Sequence, residues 1–259
     1  MRRLLLLCAA VAALSSIHAA PLAAQQGRQG APPGPAGGRG GPVTGRAQAP
    51  IDITGYWVAL VTDDWRYRML TPPKGNADYL PVNAEARRVM GEWDPARDEA
   101  AGEACRAYGA GGVMRLPGRL HVTWENDNAL KMDLDAGTQT RRFVFGAPPP
   151  AGEPSWQGSS TARWQLPAGR GRGPATTAQL VVTTTGLRPG YLRKNGVPYG
   201  ANATITEYFV KLVDDTQEYL AVTIMVDDPQ YLALPYIKTY QYKKQSDAAG
   251  WAPAPCVAR

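Results

Sequence analysis

Thr204-Ile205-Thr206-Glu207-Tyr208-Phe209-Val210 opens an alternating run that reaches the turn Asp214-Asp215 and resumes over residues 218–227, the pattern of two β-strands joined by a hairpin. Successive strand residues face opposite sides, so Ile205, Glu207 and Phe209 share one face and Thr204, Thr206, Tyr208 and Val210 the other. Outward from this pair the same signature recurs. β-branched or aromatic runs bounded by turn residues lie near 54–62, 113–125, 129–135, 138–146, 156–166, 178–187 and 235–244, beside 202–213 and 218–227. Glu125-Asn126-Asp127-Asn128 and Ala136-Gly137 supply further tight turns. Short strands in chain order predict a meander, and a long antiparallel run must close or stack to protect its edges. The expected fold class is all-β, mainly antiparallel: a β-barrel with one or two short helices after the first strand, or alternatively a two-sheet β-sandwich.

Helical periodicity is confined to the region after the first strand. Asn83 is placed to cap a helix running to about Trp93, on which Val89 and Trp93 share a face, and a second stretch is read from Pro95 to Cys105. At the N-terminus, Met1-Arg2-Arg3, an apolar run from Leu4 to about Leu14 and small residues around Ala19, Ala20, Ala23 and Ala24 follow the order of a secretory signal. Residues 1–24 therefore read as a signal peptide and 25–49 as a disordered Gly/Pro-rich linker with almost nothing apolar enough to offset chain entropy. Residues 50–259 read as one barrel domain, in which 167–177 form a surface loop. No run approaches the ~20 apolar residues that a spanning helix needs, so the expected location is periplasmic or secreted, with no transmembrane segment.

Charge and cysteine usage exclude several classes. Of the 28 Lys and Arg, Arg2, Arg3, Arg28, Arg39 and Arg46 precede residue 50, which leaves 23 against 22 Asp and Glu in the domain. That balance removes the concentrated positive charge on which nucleic-acid binding rests. Cys8 leaves with the signal, and Cys105 and Cys256 are expected to pair in a compartment where disulfides persist; the alternative is two buried free thiols. In the chain-entropy model so long a loop is worth about 4–5 kcal/mol at the upper end. With His18 lost, His121 is the remaining histidine and no close Cys or His pair exists, so no metal and no cofactor is expected. Asp227-Asp228-Pro229 reads as a strand-ending turn. Neither a nucleophile elbow, a phosphate loop nor a zinc-protease helix motif occurs.

Two residues stand out as candidate acids or bases. Over 116–125, Leu116, Leu120, Val122 and Trp124 share an apolar face and Arg119, His121, Thr123 and Glu125 the opposite one, which is either solvent or the lining of a wet cavity. His121 has a pKa range suited to proton transfer near neutrality. Glu207, between Ile205 and Phe209, is costly to bury unpaired, so it is either exposed or partnered by Arg141, Arg193 or a tyrosine. The segment Arg188–Tyr199 carries Arg188, Tyr191, Arg193, Lys194, Asn195 and Tyr199, a basic and aromatic loop. The earlier Asp63-Asp64-Trp65-Arg66-Tyr67-Arg68 has the same character, and the two are placed to ring one opening. Trp57, Trp65, Trp124, Trp156 and Trp164 supply aromatic surface for either a core or a cavity.

Ile53-Thr54-Gly55-Tyr56-Trp57, opening the first strand, is similar to the Gly-x-Trp start of lipocalin-like (calycin-like) barrels. Trp124-Glu125-Asn126-Asp127-Asn128, Asp135-Ala136-Gly137-Thr138-Gln139-Thr140-Arg141, Arg188 to Gly196 and Val226-Asp227-Asp228-Pro229 resemble a family of uncharacterised exported β-barrel proteins of environmental bacteria. That resemblance implies a shared fold and export and brings no catalytic residues. The first functional expectation is a barrel binding a small hydrophobic or aromatic molecule through Trp57, Trp65, Arg66, Trp124, Arg141, Trp156, Tyr191, Arg193, Tyr199 and Tyr208. The second is a cofactor-free isomerase, lyase or hydratase using Glu207 or His121 as acid or base. The third is an envelope scaffold whose exposed aromatics contact another protein.

Overall fold

The computed structural model describes residues 43–62, 64–147, 152–166 and 178–259. Strand β1 (Gly55–Leu60) is followed by helices α1 (Trp65–Arg68), α2 (Ala84–Glu92) and α3 (Pro95–Ala100) and by 3₁₀ turns over Ala104–Tyr108 and Val113–Arg115. Then come β2 (Arg119–Asn126), β3 (Ala129–Leu134), β4 (Gln139–Phe145), β5 (Ser159–Gln165), β6 (Gln179–Thr185), the short β7 (Gly190–Arg193) and β8 (Val197–Tyr199), and the longer β9 (Thr204–Asp214), β10 (Gln217–Asp227) and β11 (Tyr236–Gln245). Nine strands close into a barrel in the order β1-β11-β10-β9-β6-β5-β4-β3-β2, and β7 and β8 form a separate hairpin. A ring of purely antiparallel neighbours needs an even number of strands, so nine strands require a parallel seam. It lies between β4 and β5, which pair only over Phe143–Phe145 and Ser160–Ala162.

Alternation sorts the side chains. Leu120, Val122, Met132, Phe143, Val182 and Phe209 point inward and are fully buried, while His121, Thr123 and Tyr208 face out. At mid-height the interior is polar as well as apolar: Arg141 donates to both Glu207 carboxylate oxygens, at 2.7 and 2.5 Å, with Thr184 Oγ1 at 3.4 Å and Ser160 beside it. Trp57, Met132, Arg141, Phe143, Glu207 and Phe209 each expose 1% or less, so no water-sized space adjoins them and the middle of the barrel is packed solid.

The two ends differ. At the upper end, where β1 and β10 finish, the barrel is filled by residues 64–118 and by the β7–β8 hairpin, whose Tyr199 packs so tightly that a Cβ on Gly109 would lie 2.2 Å from its hydroxyl. Residues 246–259 run along the outer wall past Tyr56 and His121, pair with the β3–β4 turn through Ala254 and Ala136, and are fixed to the first 3₁₀ turn by the Cys105–Cys256 disulfide. Among the described residues, the lower end, where β2, β4 and β5 finish, is crossed by residues 43–54.

All nine expected strand runs are barrel strands, in a closed barrel rather than a sandwich. Four details depart from expectation. Residues 113–118 form a 3₁₀ turn and a link, because Gly112 and Gly118 flank a stretch whose Val113 and Met114 are buried in the plug instead of paired in a ladder. The loop 188–199 contains the β7–β8 hairpin. The stretch from Pro95 is α-helical only to Ala100 and continues as the 3₁₀ turn at Ala104. Residues 43–49, expected in the linker, pack on the barrel. The α2 cap is as expected, with Asn83 Oδ1 accepting from Ala86 N at 3.0 Å, but the buried face carries Ala86 and Met90, with Val89 only partly covered. The signal peptide, residues 25–42 of the linker and the loop 167–177 lie outside the described residues.

Candidate functional site

Three inward positions near the lower strand ends are aromatic: Trp124 on β2, Phe145 on β4 and Trp164 on β5. Their rings form a chain, with centroids 5.6 Å apart from Trp124 to Phe145 and 5.5 Å from Phe145 to Trp164. These are tilted and stacked separations of the kind aromatic pairs favour. One layer deeper, Phe143 and Phe209 continue the pattern at 5.5 Å but are sealed. Trp124, Phe145 and Trp164 stay partly exposed.

The strap 43–54 lies over these rings. Trp164 Nε1 donates to Gly45 O at 2.7 Å, Gly45 N donates to Asn128 Oδ1 at 2.8 Å, and Arg46 N donates to Asp127 O at 2.9 Å. A Cβ on residue 45 would lie 2.3 Å from the Phe145 ring, so only glycine lets the backbone rest on it. At the far end of the strap Ile53 is buried and its carbonyl accepts from Trp57 Nε1 at 2.9 Å. Two clefts flank Trp164. One, of about 330 Å³, separates residues 49–54 from Trp124, Leu130 and Trp164; the other, of about 490 Å³, runs from Val43 and Gln48 to Phe145 and Arg163.

Charge sits at the rim. Lys244 Nζ lies 4.4 Å over the Trp57 ring and donates to Thr54 O. Burial pulls its pKa down, against the raising influence of Glu218 and Asp52. Burial of Asp52 acts to raise its pKa, but hydrogen bonds from Thr54 N and Oγ1 and the charges of Lys244 and Lys211 outweigh that and hold the carboxyl below the usual range. The result is an aromatic wall with paired charges and backbone polar groups at its edge, the composition of a small-molecule site. Among the described residues no cluster of His, Cys, Asp and Glu is suited to holding a metal.

The expected site residues do not converge. Trp124 belongs to the lower mouth, whereas Trp57 and Arg141 are core. Tyr191, with its hydroxyl on Asp98 at 2.9 Å, and Tyr199 are buried in the upper plug; Trp65 and Arg66 are exposed on α1. Tyr208 faces outward from β9, and Trp156 lies on the outer surface under Arg188, 4.1 Å from its ring. The segments 64–68 and 188–199 do meet, since Arg193 stacks 4.4 Å over Tyr67, while Asp63 lies outside the described residues. The two candidate acid–base groups lie on opposite sides of the wall: Glu207 is sealed against Arg141, and His121 stacks on Tyr56 outside, centroids 3.9 Å apart.

No family model, curated protein or solved structure matches this chain. Geometry alone therefore carries the functional reading. Sequence reasoning missed Phe145, Leu130 and the strap; the signal available was that Trp124, Phe145 and Trp164 each stand near the end of a strand that finishes at the same rim.

Proposed function

We propose that the protein binds a small, flat hydrophobic or aromatic molecule at the lower mouth, stacked on Trp164 beneath the strap. The observation that carries this reading is the contrast between a barrel middle closed to water and an aromatic chain left half-exposed at one rim, with two clefts that share Trp164 in their lining. Apolar wall area supplies affinity, and the backbone and charged groups around Asp52, Thr54 and Lys244 orient the ligand. The secretory order of the N-terminus and the Cys105–Cys256 disulfide support an exported protein that meets its ligand outside the cytoplasm. An enzyme working through Glu207 would need substrate to reach a carboxylate that Arg141 occupies on both oxygens.

Tryptophan fluorescence titration of the full chain with naphthalene and indole tests the site. Saturable quenching is expected in the native protein, with at least a tenfold weaker Kd in Trp164→Ala. Equal affinity in that variant would remove the lower mouth as the site. Native mass spectrometry of protein purified from its own envelope then identifies the molecule carried.

A further inference from the structure

The upper plug holds four-residue α1 over a group of charges that the lower mouth does not touch. Arg68, Arg115 and Arg193 are buried to 3–4% exposure around Tyr67. Arg68 Nε donates to Arg115 O at 3.0 Å and Nη1 to Leu60 O, and its guanidinium lies 5.2 Å from the Tyr240 ring centroid. Arg115 Nη1 donates to Tyr67 O at 2.9 Å, and Arg193 stacks on the Tyr67 ring. Arg115 Nε and Nη2 and Arg193 Nη1 meet no acceptor among the described residues, and no described carboxylate lies within 4.0 Å of either group.

Burying a cation without an acceptor is costly, and this fold avoids it elsewhere: Arg141, buried as deeply, is matched by Glu207 on two hydrogen bonds. At Arg115 the electrostatics are strained, because burial pulls its pKa down and Arg193 and Arg68 add to that, against Tyr240 and Tyr236. The hydroxyls of Tyr236 and Tyr240, 3.3 Å apart, bring further donors to the same place. A planar guanidinium fork matches a carboxylate in two parallel hydrogen bonds.

We infer that Arg115 and Arg193 form a binding site for a small carboxylate, seated beneath α1 at the end of the barrel opposite the aromatic mouth. The cover is thin. Helix α1 has no side-chain cap, exposes Trp65 outward, and is tied to the site through the two hydrogen bonds between Arg68, Arg115 and Tyr67. The carboxylate enters by displacing this turn, which places an apolar cover over a charged floor.

Calorimetric titration of the full chain in a zwitterionic buffer tests the site, with sodium acetate as probe, sodium phosphate at matched ionic strength as comparison and acetamide as the neutral control. Acetate is expected to bind saturably, phosphate more weakly and acetamide not at all. Arg193→Met, whose side chain makes no hydrogen bond to a described residue, is expected to fold and to weaken acetate binding at least tenfold. Arg115→Met is expected to do the same and to melt no lower than the native protein in anion-free buffer, because it removes an uncompensated buried charge. Trp164→Ala is expected to leave acetate binding unchanged, which separates this site from the lower mouth. Absence of saturable acetate binding, an unchanged affinity in Arg193→Met, tighter binding of phosphate, or equal heats for all three solutes would each overturn the assignment.

Discussion

The two ends of this barrel close the same kind of rim in opposite ways. The upper end is filled: helices and the β7–β8 hairpin occupy it, a disulfide ties the outer-wall tail to it, and its ring contacts include cations over aromatics, as with Arg193 on Tyr67 and Arg106 on Tyr191. Among the described residues the lower end is spanned rather than filled, by a strap lying on an aromatic chain. A mouth that is filled keeps room only for groups the size of a buried charge, whereas a mouth that is spanned keeps clefts along both edges of the span. Closing a barrel and furnishing it with a site are separate structural problems, and this chain solves them at different ends.

The comparison requires that the ends be independent, and the group between them gives the largest expected effect. Glu207→Gln leaves Arg141 buried with a neutral acceptor in place of its carboxylate, and Glu207→Leu leaves it only the Thr184 hydroxyl at 3.4 Å; the latter is expected to cost about 3–5 kcal/mol in denaturant unfolding. The double variant Arg141→Met/Glu207→Leu, which removes both charges at similar volume, is expected to recover most of that loss. If the double variant is as unstable as the single, the pair is doing more than neutralising itself. The next effect is confined to one end. Cys105 and Cys256 are 151 residues apart, and replacing both with Ala is expected to cost about 2–4 kcal/mol. Hydrogen exchange should then rise in 104–118 and 251–259 and stay unchanged in 43–54. Equal loosening of the strap would mean that the two ends are coupled.

How much of this was legible beforehand follows from period and locality. The nine barrel strands were readable because each carries its own alternation and turn chemistry, and Arg141 was readable only as one of several partners for a Glu207 that is costly to bury unpaired, beside Arg193 and a tyrosine. The parallel β4–β5 seam was not, since it is a consequence of closing an odd number of strands and leaves no local mark on either one. The strap escaped because Gly45 earns its place through contact with Phe145, a hundred residues away, in a stretch whose composition reads as linker. The expected site residues scattered for a related reason. Residue type marks Tyr199, Trp57 and Arg141 as ligand-like, but only packing reveals that each is spent on the interior.

The smallest expected effect tests which end the tail belongs to. His121 stacks on Tyr56 with an interplanar angle of 5°, and Trp251 of the tail meets it edge-on at 6.3 Å. Burial holds the His121 pKa below its usual value of 6.5, with Asp133 opposing and Lys131 reinforcing the shift. The unfolded chain therefore takes up this proton more readily than the folded one, so the contribution to stability is complete above about pH 6.5 and is lost as pH falls through the folded pKa. The ring is half-exposed, which keeps the loss small. Urea midpoints measured at about pH 7 and pH 5 should show a slope that His121→Gln reduces, and an unchanged slope would assign it to another group. Part of the covering surface is Trp251, which the chain delivers only five residues before the disulfide. Reducing Cys105–Cys256 should therefore diminish the same slope, tying the outer wall to the filled end, while a variant of the strap such as Gly45→Ala should leave it intact.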